Sequence, residues 1–174
     1  GQVQAAVLIA ILNYGKYIKN PELIYTQRSS HLSTHSGEVS FPGGKVEEGD
    51  ENLFATALRE SSEEMNLNGE DITVLGKLDY LISRHKVEVN PFVVTVDSPQ
   101  PLKPNQEIQE IFTVPLSFLL DLKNIQRERI ERQGMAWQVP TWNHNNQKIW
   151  GLTAIITVNF LNLCLDANIE ILEG

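Results

Sequence analysis

A chain of 174 residues is the length of one ordinary domain, so residues 1–174 are expected to form a single domain with its own core. Fourteen Lys plus Arg against 22 Asp plus Glu leave a net charge of −8, which argues against a nucleic-acid binder with a basic face, although a metal ion could still recruit a small phosphorylated ligand. The one cysteine, Cys164, excludes an internal disulfide and a cysteine-based zinc site; the apolar runs are too short or interrupted to span a bilayer and no basic stretch precedes the first of them, so the expectation is a cytoplasmic protein without membrane segment or signal peptide.

Residues 3–12 are apolar and rich in β-branched side chains, and predict a buried strand. Residues 23–27 (LIYTQ) predict a second short strand, and residues 39–41 a third that stops at Pro42-Gly43-Gly44. Asp50 is placed to cap a helix that runs to about Met65, with Leu53, Phe54, Ala57, Leu58 and Met65 on its apolar side. Residues 72–82 and 87–96 predict two strands, and residues 97–105 (DSPQPLKPN), with three prolines, a surface loop. Residues 115–120 suggest a short helix with Pro115 in its first turn. Residues 125–150 alternate in a way that suggests strands and loops, and residues 151–166 predict a second long helix, with Cys164 on its apolar side. Strands interrupted by two substantial helices predict an α/β fold, a mixed sheet packed by helices on both faces.

The chemistry concentrates in residues 43–67, GGKVEEGDENLFATALRESSEEMNL. Glu60, Glu63 and Glu64 are spaced three and four apart and share one helix face, where like charges repel by roughly 0.2–0.5 kcal/mol per pair. They also lie toward the helix C-terminus, where the macrodipole disfavours anions. Local helix energetics gains nothing from this cluster, and a bound divalent cation would reverse the sign. Hard cations take oxygen ligands, and Mg²⁺ typically uses one or two carboxylates plus substrate phosphates. Three glutamates on a helix are more often a solvated acidic face. Gly43 and Gly44 shift that balance, because a backbone without side-chain bulk can approach a metal or a phosphate closely.

These residues resemble the Nudix box, G-x5-E-x7-R-E-U-x-E-E-x-G-U, where U is apolar: Gly44, Arg59, Glu60, Glu63, Glu64 and Leu67 fall on its fixed positions. Asp50 stands in place of the first glutamate, Ser61 replaces an apolar residue, and Asn66 replaces the late glycine, whose left-handed conformation asparagine tolerates. The stretch from Gly44 to Arg59 is one residue longer than the general box, which is similar to the coenzyme A pyrophosphatase branch, GGxxDxxDxxxxxxALREAxEE. Upstream, residues 23–29, Leu32, His35, Gly37, Val39 and Phe41 to Gly44 are similar to LLTxRSxxLRxHxGQVxFPGG, with Ser33 where arginine is expected and Glu38 where glutamine is expected. Residues 105–120 and 149–154 resemble the same branch.

The resemblance implies a Nudix-type α/β/α sandwich with a mixed sheet. It implies Mg²⁺- or Mn²⁺-dependent attack of water on a diphosphate, yielding 3′,5′-ADP and 4′-phosphopantetheine from coenzyme A. Glu60 and Glu64 are the expected main metal ligands, with Glu63 assisting and Arg59 orienting the carboxylates by ion pairing. An acid beyond the box is expected at Glu107 rather than Glu110. Arg28, His35, Gly43 and Gly44 are the candidate substrate contacts; for Arg28 a structural ion pair is an equal alternative, and for His35 a loop-fixing role is the favoured one. Trp137 and Trp142 are further candidates for the substrate cleft, Trp150 is read as core, and His31, His85 and His144 as surface residues. The partner is thus a small nucleotide-type molecule, with homodimerisation left open. Two other functions also stay open: Nudix hydrolysis of ADP-ribose, dinucleotides or nucleoside triphosphates, and a non-catalytic Nudix module that binds nucleotide.

Overall fold

The computed structural model describes residues 2–12, 20–32, 37–97 and 101–174. They fall into two compact units, Gly1–Pro115 and Leu116–Gly174. Ser33 and His35 lie outside the described residues.

The first unit is built on a mixed sheet. Its strands are β1 (Gln4–Leu12), β2 (Glu22–Arg28), β3 (Val39–Ser40), β4 (Gly43–Lys45), β5 (Ile72–Lys77), β6 (Leu81–Ile82), β7 (Glu88–Val96) and β8 (Ile108–Pro115). The order is β3-β2-β1-β7-β5, with β4 on β1, β6 on β7 and β8 on β2. β1 and β7 are parallel, in register from Gln4↔Glu88 to Leu12↔Val96, and the other pairings are antiparallel. A central strand with neighbours on both sides needs apolar residues on both faces. That is why Ala5, Ala6, Leu8, Ile9, Ala10 and Ile11 are all buried. Helix α1 (Leu53–Met65) lies over one face, and Ala57, Met65 and Leu67 pack with Ala6, Leu8, Ala10, Ile24, Val94 and Val96.

Two local expectations need correction. The N-cap of α1 is Asn52, whose side chain accepts from the Ala55 N–H at 2.8 Å, not Asp50, which is drawn away by Arg59. Residues 72–82 form two strands, because the chain breaks from the ladder between Lys77 and Leu81. β3 does stop before Pro42-Gly43-Gly44, and Gly43 and Gly44 open a separate strand, β4, paired with Val7 and Ala6. Asn66 does adopt the left-handed conformation, φ 60°, and its N–H closes the helix on Ser62 O at 3.0 Å. Ser61, in its apolar slot, is fully buried, and its hydroxyl has no partner among the described residues.

The second unit contains α2 (Leu116–Leu120), the strands β9 (Gln126–Arg132), β10 (Met135–His144) and β11 (Gln147–Ile149), α3 (Gly151–Leu165) and β12 (Leu172–Glu173). β10 pairs antiparallel with β9, β11 and β12. Pro115 closes β8 and sits just ahead of α2 rather than inside it. Trp142 is fully buried and its indole N–H donates to Leu119 O at 3.2 Å, so it is a core residue and not a cleft residue. Trp150 is partly exposed with the Lys148 ammonium 5.9 Å from its ring centroid. His144 is half-buried and stands edge-on to Phe118. Cys164 is exposed, which corrects the expectation of a buried, apolar side for it: it lies in the last turn of α3, where Leu163 and Leu165 are exposed as well. No helix among the described residues is long and apolar enough to cross a membrane.

Candidate active site

Helix α1 carries Glu60 and Glu64 on its inward side and Glu63 outward. The Glu64 side chain is buried, with the residue 3% exposed, whereas the Glu63 side chain is 56% exposed. The Gly43 N–H donates to Glu64 Oε1 at 3.0 Å, which ties β4 to α1. Glu64 is pushed up to about 8, first by burial; the Gly43 hydrogen bond and Arg28 oppose the rise, and Glu60 and Glu107 add to it. Glu60 is likewise pushed upward, chiefly by burial, against the pull of Arg59. The three charged groups that act on Glu64 come from β2, α1 and the segment before β8, so the fold draws Arg28, Glu60 and Glu107 to one place around it.

Both glycines are required by close approach. Gly43 has φ 149°, and a Cβ there would strike the Ala6 carbonyl oxygen and lie 2.6 Å from Val7 Cα. At Gly44 a Cβ would stand 2.6 Å from the Glu60 carboxyl carbon. The second glycine thus leaves the space that the Glu60 carboxylate occupies.

Arg59 organises the rim. Its Nε donates to Asp50 Oδ1 at 2.9 Å, and its terminal nitrogens reach Asp50 Oδ2 at 3.1 Å, Glu60 Oε1 at 3.1 Å, Glu63 Oε2 at 3.4 Å and Lys45 O at 3.1 Å. Asp50 also accepts from the Glu47 N–H at 2.9 Å and from the Thr56 hydroxyl at 2.8 Å. The Arg59 hydrogen bonds, then the Glu47 N–H, hold the Asp50 carboxyl far below the usual carboxylate range, and Asp50 in turn raises Arg59. The residue in place of the first box glutamate therefore anchors the loop between β4 and α1 to the helix. Arg28 is half-buried; its Nε is buried and has no hydrogen-bond partner among the described residues. Glu107 and Glu110 are both exposed, and only Glu107 figures among the charges that act on Glu64.

Among the described residues, no three His, Cys, Asp or Glu side chains form a closed ligand set. The donors still fit a hard divalent cation that binds through one or two carboxylates and completes its shell with water and substrate oxygens. A carboxylate buried beside a second one, as Glu64 is beside Glu60, is the arrangement that a cation stabilises.

Residues 3–135 match the family described as NUDIX domain. The chain belongs to the Nudix family. It is 40% identical over 154 residues, 88% of its length and 75% of the relative's, to an uncharacterized Nudix hydrolase, NudL, of Yersinia pestis, and equally to NudL of Yersinia pseudotuberculosis. It is a Nudix hydrolase on these grounds, and hydrolases of the family generally use divalent metals. Solved structures support the fold. A MutT/nudix family protein from Enterococcus faecalis aligns with a TM-score of 0.60 at 14% identity, over 95% of this chain and 63% of its own. The Caenorhabditis elegans Ap4A hydrolase gives 0.55 at 23% identity, over 65% and 80%. The NUDIX domain of Shewanella oneidensis NrtR, complexed with ADP ribose, gives 0.53 at 18% identity, over 69% and 77%.

Ser29 and Asn105 lie on segments that resemble the branch, but the sequence assigns no role to them or to Thr56, although all three make side-chain hydrogen bonds around the site. Asn105 carries a local signal: asparagine accepts from backbone two residues on, which marks a turn.

Proposed function

We propose that this chain hydrolyses the diphosphate of coenzyme A or its acyl or disulfide forms, giving 3′,5′-ADP and 4′-phosphopantetheine or its acyl derivative. The observation that carries the hydrolytic reading is the buried Glu64 carboxylate on Gly43 N–H, with Glu60, Glu107 and Arg28 around it. Glu60 and Glu64 would hold Mg²⁺ or Mn²⁺, with Glu63 assisting, and the ion would neutralise charge on the diphosphate oxygens. Glu107 accepts a proton from the attacking water, whose oxygen bonds to phosphorus as a bridging P–O bond breaks. Arg28 pairs with a phosphate through its guanidinium, whose Nε has no hydrogen-bond partner among the described residues, and Gly43 and Gly44 let the substrate approach the backbone. His35 contacts the substrate, and Arg59 keeps Glu60 and Glu63 oriented. The family match runs across Pro115, from residue 3 to 135, which supports reading the two units as one Nudix domain. The coenzyme A assignment rests on the long box and on residues 23–44 and 149–154.

Glu107→Gln is expected to lower kcat by about 10²-fold, the range of an acid–base group, while Glu110→Gln does much less. Steady-state kinetics of both variants checks the choice, and the reverse order assigns the role to Glu110.

Substrate choice is tested on a panel of coenzyme A, dephospho-coenzyme A, ADP-ribose and nucleoside triphosphates with Mg²⁺ or Mn²⁺, resolved by chromatography of products. Coenzyme A forms should be cut fastest. Ser33 removes a cation from a protein of net charge −8, so KM should lie at the upper end of the usual range, on the order of 1 mM. Ser33→Arg should lower KM for coenzyme A more than for dephospho-coenzyme A. Preferred cleavage of ADP-ribose would replace the coenzyme A assignment with the second reading, which the Ser33 departure favours, and leave the hydrolase chemistry standing.

A further inference from the structure

The segment that carries Glu107 is fastened at both ends to the elements that carry the other charged groups of the site. The Lys103 N–H donates to Met65 O at 3.1 Å, and the Asn105 N–H donates to Glu64 O at 3.0 Å, which docks the segment on the end of α1. The Asn105 side-chain oxygen then accepts from the Glu107 N–H at 2.9 Å and from the Ile108 N–H at 3.2 Å. From the other side, the buried Ser29 hydroxyl, one residue beyond β2, donates to Gln106 O at 3.0 Å, and the Ser29 N–H donates to Glu107 O at 2.8 Å. The next turn of the chain is irregular: Gln27 faces Glu110 but Arg28 faces Ile108, so Gln109 is the extra residue of a bulge. A bulge re-aims side chains at the point where it sits, so Glu107 and Glu110 are not equivalent acids on one regular ladder.

We propose that Asn105 and Ser29 are positioning residues that clamp the Gln106–Glu107 peptide between the end of α1 and the end of β2, and so hold the Glu107 carboxylate toward Glu64. The proposal rests on the reading of Glu107 as the acid outside the box. Exposure supplies the reason that a clamp is needed. Glu107 is exposed, so an untied segment would let its side chain turn away into water. The ties act on the peptide on either side of Glu107 and leave its carboxylate free. This is the arrangement expected of a group that must stay near other carboxylates and still exchange a proton.

The test is a double-mutant cycle in kcat, run with Mg²⁺ on coenzyme A and on ADP-ribose. Asn105→Ala should lower kcat about tenfold with KM changed by less than about threefold, and in the Glu107→Gln background it should change kcat by less than about twofold. Asn105→Asp, which keeps the acceptor oxygen, should restore kcat to within about threefold of the parent. A structural role alone would lower folded fraction without this coupling or this rescue. Should Asn105→Ala not fold, the same cycle is run with Ser29→Ala and its rescue by Ser29→Thr. An equal loss of kcat from Asn105→Ala or Ser29→Ala with and without Glu107→Gln overturns the clamp while leaving Glu107 in its role. A Glu107→Gln variant with parental kcat overturns the reading beneath it, as does failure to cleave either substrate.

Discussion

Glu64→Gln is expected to abolish all but about 10⁻³ of kcat while the protein stays folded, a loss of several kcal/mol of transition-state stabilisation. The fold should survive because glutamine keeps the size of the side chain and an oxygen that can accept from Gly43 N–H. It also removes an ionisable group whose charged form burial already opposes, pushing the carboxyl up to about 8. The melting temperature without metal should therefore be at or above that of the parent at neutral pH, and metal should raise it less than it raises the parent. Thermal melts with and without Mn²⁺, beside steady-state kinetics, separate the two effects. Full activity in this variant, or in excess chelator, would remove the glutamate face from the mechanism.

Gly43→Ala is the substitution expected to cost most in stability, about 3 kcal/mol. Two penalties coincide there. The backbone sits at φ 149°, which a side chain disfavours, and the new methyl would meet the Ala6 carbonyl oxygen and Val7 Cα, which belong to the central strand and cannot swing aside. The strand would have to separate from β1, and with it would go the N–H that holds Glu64. Denaturant unfolding should show the lower midpoint, and the remaining folded protein should have lost activity. Gly44→Ala meets the Glu60 carboxyl group instead. That neighbour is a side chain that can turn, so the loss should fall on activity more than on stability. Equal unfolding midpoints for the Gly43 variant and the parent would show that the two strands do not need this close contact.

The box itself, α1, the buried central strand and the mixed α/β fold were legible from residue order, because each depends on local periodicity or on fixed spacing. Asn66 was legible for the same reason: a helix end demands a left-handed residue, and asparagine supplies one. The spacing of Glu60, Glu63 and Glu64 showed that they lie on one side of a helix, but only packing against the sheet decided that Glu64 is buried and Glu63 faces outward. Asp50 has the side chain of a helix cap and stands just ahead of the helix. Its carboxylate instead serves Arg59 and Thr56, and an aspartate has no way to show locally which of two partners nine or six residues away it will prefer. Cys164 and Trp142 differ from their sequence expectations for a related reason: apolar character along a helix or strand says that a face is buried somewhere, not which turn reaches the core. The hydrogen bonds from Ser29 to residues 106 and 107 span almost eighty positions, and no pattern along the chain encodes them. The family of chemistry is legible along the chain, because the glutamates, the arginine and the glycines act through short fixed spacings. The tertiary structure alone decided which carboxylate is desolvated and which distant loop is brought to face it, because burial and long-range contact are properties of the packed sheet rather than of any one segment.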